Sequence, residues 1–184
     1  WKVRILDLGD FKLGEELRDT YFAITDLISN LISDGVIPIV IGGGQDLCYP
    51  MYKSYESFNK GINICSLDSK FDMISPESLK INSNNYLGNI IKEDPNHLNS
   101  FSNIGFQSYF VQKDEVHEME KMFFETFRLG DFRQNIEESE PYLRNSDLII
   151  LDASSIKQSD SPGVVAPSPN GFFSHEACIL SRYS

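Results

Sequence analysis

Blocks of apolar and polar residues along the first third of the chain predict strands that alternate with helices. Short apolar runs at residues 3–8, 36–41 and 62–67 have the length and β-branched content of buried strands. Residues 15–34 place apolar side chains at helical spacing, and residues 45–58 predict a second helix that a proline interrupts. This order is that of a repeated strand–helix unit.

The rest of the chain continues this pattern around one irregular stretch. It predicts a loop at residues 75–85, strands at 102–111 and 147–151, and helices at 113–127 and 133–143. Strands that are apolar on both faces belong to parallel sheets covered by helices on both sides. We therefore expect an α/β fold, a three-layer α/β/α arrangement with a mostly parallel sheet, in a single domain over residues 1–184.

Composition and charge exclude several classes of partner. The 184 residues carry a formal net charge of -11, which repels the phosphate backbone of nucleic acids. No apolar run approaches the roughly 20 residues that span a bilayer, and the charged opening does not suit a signal peptide. We expect a cytoplasmic protein with no nucleic-acid or membrane partner. The chain begins at Trp1 and stops at Ser184 inside a predicted helical turn, so we also expect it to be truncated at both ends.

The cysteines and histidines offer no obvious chemistry. Three cysteines, an odd number without zinc-type spacing, lie among apolar neighbours, so we expect inert core thiols at Cys48, Cys65 and Cys178. The three histidines lie away from the polar clusters described next, and we expect none of them to be a metal ligand: His97, His117 and His175.

Polar clusters follow three of the predicted strands. GGGQD follows residue 41, DSKFD follows residue 67 and DASS follows residue 151, so all three clusters should meet at the carboxyl edge of the sheet. The glycines permit either a tight turn or a phosphate cradle. Asp68, Asp72 and Asp152 supply three carboxylates that could share one hard cation, or act as ordinary caps and turns.

The order of these clusters resembles one enzyme family. Between residues 36 and 176 the segments are PIVIGGGQD, NICSLDSKFD, SNNYLG, NIGFQS, LIILDASSIKQSDSPG and NGFFSHE. This series resembles the ureohydrolases, which are the arginases, agmatinases and formiminoglutamases, and is most similar to the formiminoglutamase branch. The resemblance implies an arginase-like fold and a pair of manganese ions that convert a bridging water to hydroxide, which attacks a guanidinium or formimino carbon.

The sequence departs from the ligand set that this resemblance implies. The family uses two histidines and four aspartates, of which three aspartates remain: Asp68, Asp72 and Asp152. The other three positions hold Gln45, Lys70 and Ser154. By the family pattern the three aspartates face one ion with the Gln45 side chain, while the second ion loses both of its own ligands. We expect no resident metal, with a single Mn²⁺ or Mg²⁺ as the alternative.

Lys70 is the most informative departure, because a protonated lysine has three donors and no lone pair for a metal. We hypothesise that its ammonium group replaces the second ion and pairs with Asp68 and Asp152. The alternative is a lysine whose stem extends to solvent.

Two further family positions concern the substrate. Leu87 stands where the resemblance places a proton-shuttling histidine, and leucine cannot transfer a proton. Glu176 matches the glutamate that holds the cationic end of the substrate, although it is equally an ordinary acid in the first turn of a helix.

These observations predict a ureohydrolase-family protein with a degraded two-metal centre that lacks arginase-type hydrolysis. Such a pseudoenzyme would bind a small cationic or amidine ligand, or serve as a non-catalytic subunit of a homo-oligomer. The alternative is an active formimidoylglutamase- or agmatinase-like hydrolase of linear C–N amidine bonds, with one metal or an altered set that includes Gln45 and Asp46. A third class, an interaction module, would expose a large apolar surface.

Overall fold

The computed structural model describes residues 3–73 and 80–184 and contains a parallel sheet between helices. Its strands are β1 (Ile62–Leu67), β2 (Leu98–Phe106), β3 (Glu125–Arg128) and β4 (Leu148–Leu151). Its α-helices are α1 (Leu17–Ser33), α2 (Cys48–Lys53), α3 (Tyr86–Ile91), α4 (Lys113–Lys121), α5 (Leu129–Gln134), α6 (Glu140–Arg144) and α7 (Ser174–Tyr183). Short 3₁₀ helices lie at Gln45–Leu47, Glu56–Phe58, Ile136–Ser139 and Ala153–Ser155.

Strand β1 is the centre from which the sheet is built. The strand order is β3-β2-β1-β4, and every pair is parallel. Leu67, the last residue of β1, is in register with Ile104 of β2 and with Leu151 of β4. The carboxyl ends of β1 and β4 therefore lie at the same height on one edge of the sheet.

Alternate side chains of β1 enter two separate cores. Ile62 and Ile64 are buried in one core with residues of α2, α3 and α4. Cys65 and Leu67 are buried in the other, with residues of α5, α6 and α7. The period of two along a strand sends these residues to opposite faces, so both faces are covered. The predicted α/β fold and its three layers are confirmed.

Several predicted elements match the structure closely. The helix predicted at 15–34 is α1, the strand at 62–67 is β1, and the strand at 147–151 is β4. The segment at 45–58 is helical but broken after α2. Pro50 does not cause this break, because it is the third residue of α2, where a helix needs no backbone N–H.

Other element boundaries were wrong. The helix predicted at 113–127 ends at Lys121, because Phe123 adopts a left-handed φ of 58° and the chain then enters β3. The strand predicted at 102–111 corresponds to β2, which begins at Leu98 and ends at Phe106, and a turn follows it. The helix predicted at 133–143 is divided between α5, a 3₁₀ turn and α6, which separate at Asn135.

The strands predicted at residues 3–8 and 36–41 are not formed. Both segments pair with no strand among the described residues, and their apolar side chains face solvent, as in Ile5 at 91% exposed and Ile41 at 92%. The apolar pattern alone was not sufficient, because a strand also requires a neighbour that accepts its backbone hydrogen bonds. Both strand predictions were therefore wrong.

Two remaining features concern the loop and membrane predictions. Residues 74–79 of the predicted irregular loop lie outside the described residues, and 80–85 form bends and turns. Among the helices of the described part, none has the length and apolarity needed to cross a bilayer.

Gly105 of β2 lies against the ring of Phe172, and this close approach can be tested. Its φ is +105°, and a Cβ there would lie 2.2 Å from the buried ring of Phe172. We expect Gly105→Ala to lower the free energy of unfolding by about 2–4 kcal/mol, from backbone strain and overpacking. Urea denaturation measures this loss.

The matched control is Gly163→Ala, where an added Cβ meets nothing within 4 Å. It should leave the urea midpoint nearly unchanged. Equal stability of both variants would contradict the close approach of β2 and Phe172.

Candidate metal and ligand site

Two aspartates extend the parallel ladder beyond the strand ends. The Asp68 amide donates to Ile104 O at 3.1 Å, and the Asp152 amide donates to Leu67 O at 3.1 Å. Asp68 is only 1% exposed. Since β1 and β4 are neighbours in register, their following carboxylates come close together, and the charge of Asp152 raises the pKa of Asp68. The predicted convergence of these two clusters is therefore observed.

Both carboxylate oxygens of Asp68 accept hydrogen bonds from the protein. Lys70 N lies 3.0 Å from Asp68 Oδ1, and Gln45 Nε2 lies 2.6 Å from Asp68 Oδ2. Gly42 and Gly43 adopt φ values of 93° and 78° just before Gln45, a conformation that favours glycine. The glycine cluster thus acts as a turn that brings the Gln45 amide to the carboxylate.

Asp152 is bonded in the same way, but by a single neighbour. Ser154 N donates to Asp152 Oδ1 at 2.9 Å, and Ser154 Oγ donates to Asp152 Oδ2. Asp152 is also the N-cap of the 3₁₀ helix Ala153–Ser155. The capping role that loop aspartates commonly have is realised at this position.

Asp72 shares a proton with Asp68. Asp72 is buried and adopts a left-handed φ of 53°. Burial, followed by the negative charge of Asp68, raises the pKa of Asp72, while burial and then the charge of Asp152 raise that of Asp68. A side-chain hydrogen bond between the two carboxyl groups requires one proton, and this bond raises the pKa of Asp72 and lowers that of Asp68. One shared proton thereby reduces the repulsion among the buried Asp68 and Asp72 and the half-buried Asp152.

The ion pairs that we expected for Lys70 are not formed. Among the ion pairs of the described residues, none joins Lys70 to Asp68 or Asp152. Its Nζ instead lies 5.9 Å from the centroid of the Phe110 ring, and its charge lowers the pKa of Asp72. The Lys70 ammonium therefore affects the cluster by its electrostatic field, while the Lys70 backbone N–H contacts Asp68.

A cavity of about 190 Å³ opens beside Lys70 and Ser154, two of the three positions that depart from the family pattern. Its other lining residues are Ser69, Phe110, Ala166, Pro167 and Ser168. Beneath this site the fully buried Asn103 donates from Nδ2 to Lys70 O at 2.9 Å, while its Oδ1 has no partner among the described residues. The sequence carried no signal that singled out Asn103, because β2 also contains Asn99, Ser100 and Ser102.

Neighbouring groups are poor acids and bases. Leu87 is fully buried in α3. Burial, and next the charge of Asp68, raise the pKa of the Cys48 thiol, and burial raises that of Cys65. Both thiols are therefore neutral and buried, as expected, but Cys178 is exposed and the prediction of a core position was wrong there.

A second acidic group, Glu176 of α7, lies in a separate polar contact. Arg133 Nε donates to Glu176 Oε1 at 2.9 Å, and Arg133 Nη2 donates to Glu176 Oε2 at 3.2 Å. Glu176 also accepts from the Phe173 amide at 2.8 Å, as a first-turn acid does. Arg133 could not be identified from the sequence, because it lies 43 positions away from its partner.

The chemistry of this edge is that of a hydrogen-bonded acid cluster. Its donors are an amide side chain, backbone N–H groups, a serine hydroxyl and the Asp72 proton. Within residues 3–73 and 80–184, no three His, Cys, Asp or Glu side chains are arranged to hold a metal ion. The cluster can hold and share protons, and the adjoining cavity can admit a small molecule.

Comparison with known proteins identifies the origin of this arrangement. A formimidoylglutamase of Geobacillus thermodenitrificans is 26% identical over 187 residues, which cover 97% of this chain and 58% of that relative. The chain thus spans less than two thirds of the relative's length. A formiminoglutamase of Trypanosoma cruzi, solved with Mn²⁺, superposes with a TM-score of 0.82 at 20% identity over 91% of this chain and 59% of its own.

An arginase-like protein of T. brucei, solved as a quadruple mutant, superposes with a TM-score of 0.69 at 16% identity over 94% of this chain and 54% of its own. These structural similarities confirm the fold. The model of the arginase family matches residues 1–183. The chain therefore belongs to the arginase family.

Proposed function

We propose that this chain is a non-catalytic member of its family, in which protein hydrogen bonds have replaced the two-metal centre. The observation that carries this proposal is the state of the Asp68 and Asp152 carboxylates. All four of their oxygens accept hydrogen bonds from protein donors. A divalent cation at either side chain would therefore compete with these donors for the lone pairs of the carboxylate.

The chemistry of the substituted positions supports the same proposal. A pair of ions needs lone pairs from both sides, and the Lys70 ammonium has none to offer. The Ser154 hydroxyl donates to Asp152, and the Gln45 amide presents its N–H group to Asp68. Without two ions there is no activated water of the kind that binuclear centres use. These residues do not fit a manganese pair.

Compensation by protein groups also removes the need for a bound metal ion. Buried carboxylates are costly when uncompensated, and here the Asp72 proton, the Lys70 field and the hydrogen bonds share the compensation. We propose that what persists is recognition rather than hydrolysis. The ligand class is a small cationic or amidine molecule, and a homo-oligomer is the expected assembly.

The rival function is a working amidine hydrolase. It is favoured by the relatives named formimidoylglutamase and by the Mn²⁺ in the T. cruzi structure. In that case Asp46 would join an altered ligand set. Against this, Asp46 accepts hydrogen bonds from Tyr21 OH and from Ser83 Oγ, which favours a structural role.

Metal binding separates the two functions. Titration of the metal-free chain with Mn²⁺ should give no spin-coupled ion pair in electron paramagnetic resonance spectra and no hydrolysis of formiminoglutamate, agmatine or arginine. The triple variant Gln45→His, Lys70→His and Ser154→Asp restores the family's ligand types and should bind manganese at least tenfold more tightly.

The control for the triple variant is Lys70→Met, which removes the charge without adding a ligand. It should not produce a manganese pair. Two Mn²⁺ ions per unaltered chain together with amidine hydrolysis would establish the rival function.

The acid cluster also predicts a pH dependence of stability. The pKa of Asp72 is raised in the folded state, so the folded chain binds more protons than the unfolded chain once the pH exceeds the ordinary pKa of aspartate. Stability from this group is complete below that pKa and is lost as the pH rises toward the folded value. Asp72→Asn mimics the protonated acid and should flatten this loss.

Thermal unfolding in EDTA across the range from acidic to mildly alkaline pH measures the effect. At the alkaline end the Asp72→Asn melting temperature should exceed that of the unaltered chain by roughly 3 °C or more, with a smaller difference in acid. Asp114→Asn, on the exposed surface of α4, serves as the control. A steeper profile for Asp72→Asn would contradict the shared proton.

A further inference from the structure

The Arg133 guanidinium donates hydrogen bonds to both oxygens of the Glu176 carboxylate. The guanidinium approaches both carboxylate oxygens through Nε and Nη2, at 2.9 Å and 3.2 Å. Glu176 is 3% exposed, and a paired fork of this kind fixes both the distance and the plane of the cation. The contact therefore has the geometry of a binding site for a guanidinium group.

Two other groups complete the surroundings of this cation. Arg133 Nη2 donates to Gly171 O at 2.6 Å, and the guanidinium carbon lies 4.5 Å from the centroid of the Phe173 ring. A carboxylate, a carbonyl and an aromatic face are the elements that select a planar cation over a spherical one.

The backbone holds these elements independently of Arg133. The Phe173 amide donates to Glu176, and the Phe172 amide donates to Ser155 O at 2.9 Å. A Cβ on Gly171 would lie only 2.4 Å from that same carbonyl, so the two segments are tightly packed. Ser155 directly follows the Asp152–Ser154 loop of the acid cluster, so one rigid loop supports both sites.

Arg133 is also the more exposed partner of this contact. Its side chain is 28% exposed, whereas that of its carboxylate partner is 4% exposed. A cavity of about 220 Å³ adjoins it, lined also by Arg128, Tyr109 and Asn170. The guanidinium thus has a route to solvent, while the groups that bind it remain fixed.

We propose that Glu176, the Gly171 carbonyl and Phe173 form a cation site that the chain fills with its own Arg133. An external guanidinium or amidine enters only when Arg133 withdraws into the adjoining cavity. Arg133 is then an internal competitor that closes the site in the resting protein. This inference rests on the proposed function for its ligand class, but it does not depend on whether the acid cluster binds metal.

Removal of the internal guanidinium tests this directly. Arg133→Ala should lower the melting temperature, and millimolar methylguanidinium chloride should restore it, because a cation that binds only the folded state stabilises it. At ten times the dissociation constant the expected rise is roughly 3–6 °C. The unaltered chain should respond at least tenfold more weakly. Methylammonium chloride at equal ionic strength supplies charge without the planar fork and should have little effect.

Two variants provide matched controls. Arg133→Ala combined with Glu176→Gln lacks the carboxylate and should show no rescue. Arg144→Ala breaks a surface arginine–glutamate pair with Glu140, so methylguanidinium should not stabilise it. Equal responses of Arg133→Ala and either control would overturn the proposal and leave an ordinary structural ion pair.

Poor folding of Arg133→Ala would itself be informative. Recovery of soluble protein only when methylguanidinium is present during refolding would support the site. Arg133→Gln removes the guanidinium but leaves a smaller cavity than Arg133→Ala, so it provides a second test. Lack of response in both variants would overturn the proposal. Manganese binding by the unaltered chain would instead overturn the proposed function and leave these results intact.

Discussion

The parallel register of β1 and β4 is the constraint on which the site depends. Their in-register ends place the Asp68 and Asp152 carboxylates side by side, with Asp68 almost wholly removed from water. Like charges in such surroundings repel strongly, so a protein that retains both acids must compensate them. Metal ions are one solution. The donors around Asp68 and Asp152, together with the Asp72 proton, provide another that the chain makes from its own residues.

This compensation explains why the substitutions at the site are of different kinds. Gln45 and Ser154 are donors that reach carboxylate oxygens directly, whereas Lys70 acts at longer range and rests against Phe110. Glu176 is likewise compensated by a side chain of the protein, because Arg133 donates hydrogen bonds to it. In both places a donor of the protein contacts a carboxylate oxygen.

The sequence could predict those features that depend on local pattern. β1 and β4 followed from short apolar runs, and the meeting of Asp68 with Asp152 followed from the rule that parallel strands end at one edge. The predicted ion pairs of Lys70 were wrong. The strand pattern places the Lys70 backbone at the edge of the sheet, but it does not determine the direction of a long side chain. Arg133 could not be found, since its partner is distant in the chain. β3 was missed because an apolar helical spacing continued through Phe127 although Phe123 had already ended the helix.

The unpaired segment at residues 36–41 has a consequence for the order in which the site opens. Its amides form no strand ladder with the described residues, so they should exchange with solvent deuterium much faster than those of β1. Gln45 follows that weakly protected segment, whereas Ser154 is held by a short turn beside β4. Local fluctuation will therefore release the Gln45–Asp68 hydrogen bond more often than the Ser154–Asp152 pair. Each such opening frees one oxygen of Asp68, a carboxylate that is otherwise 1% exposed.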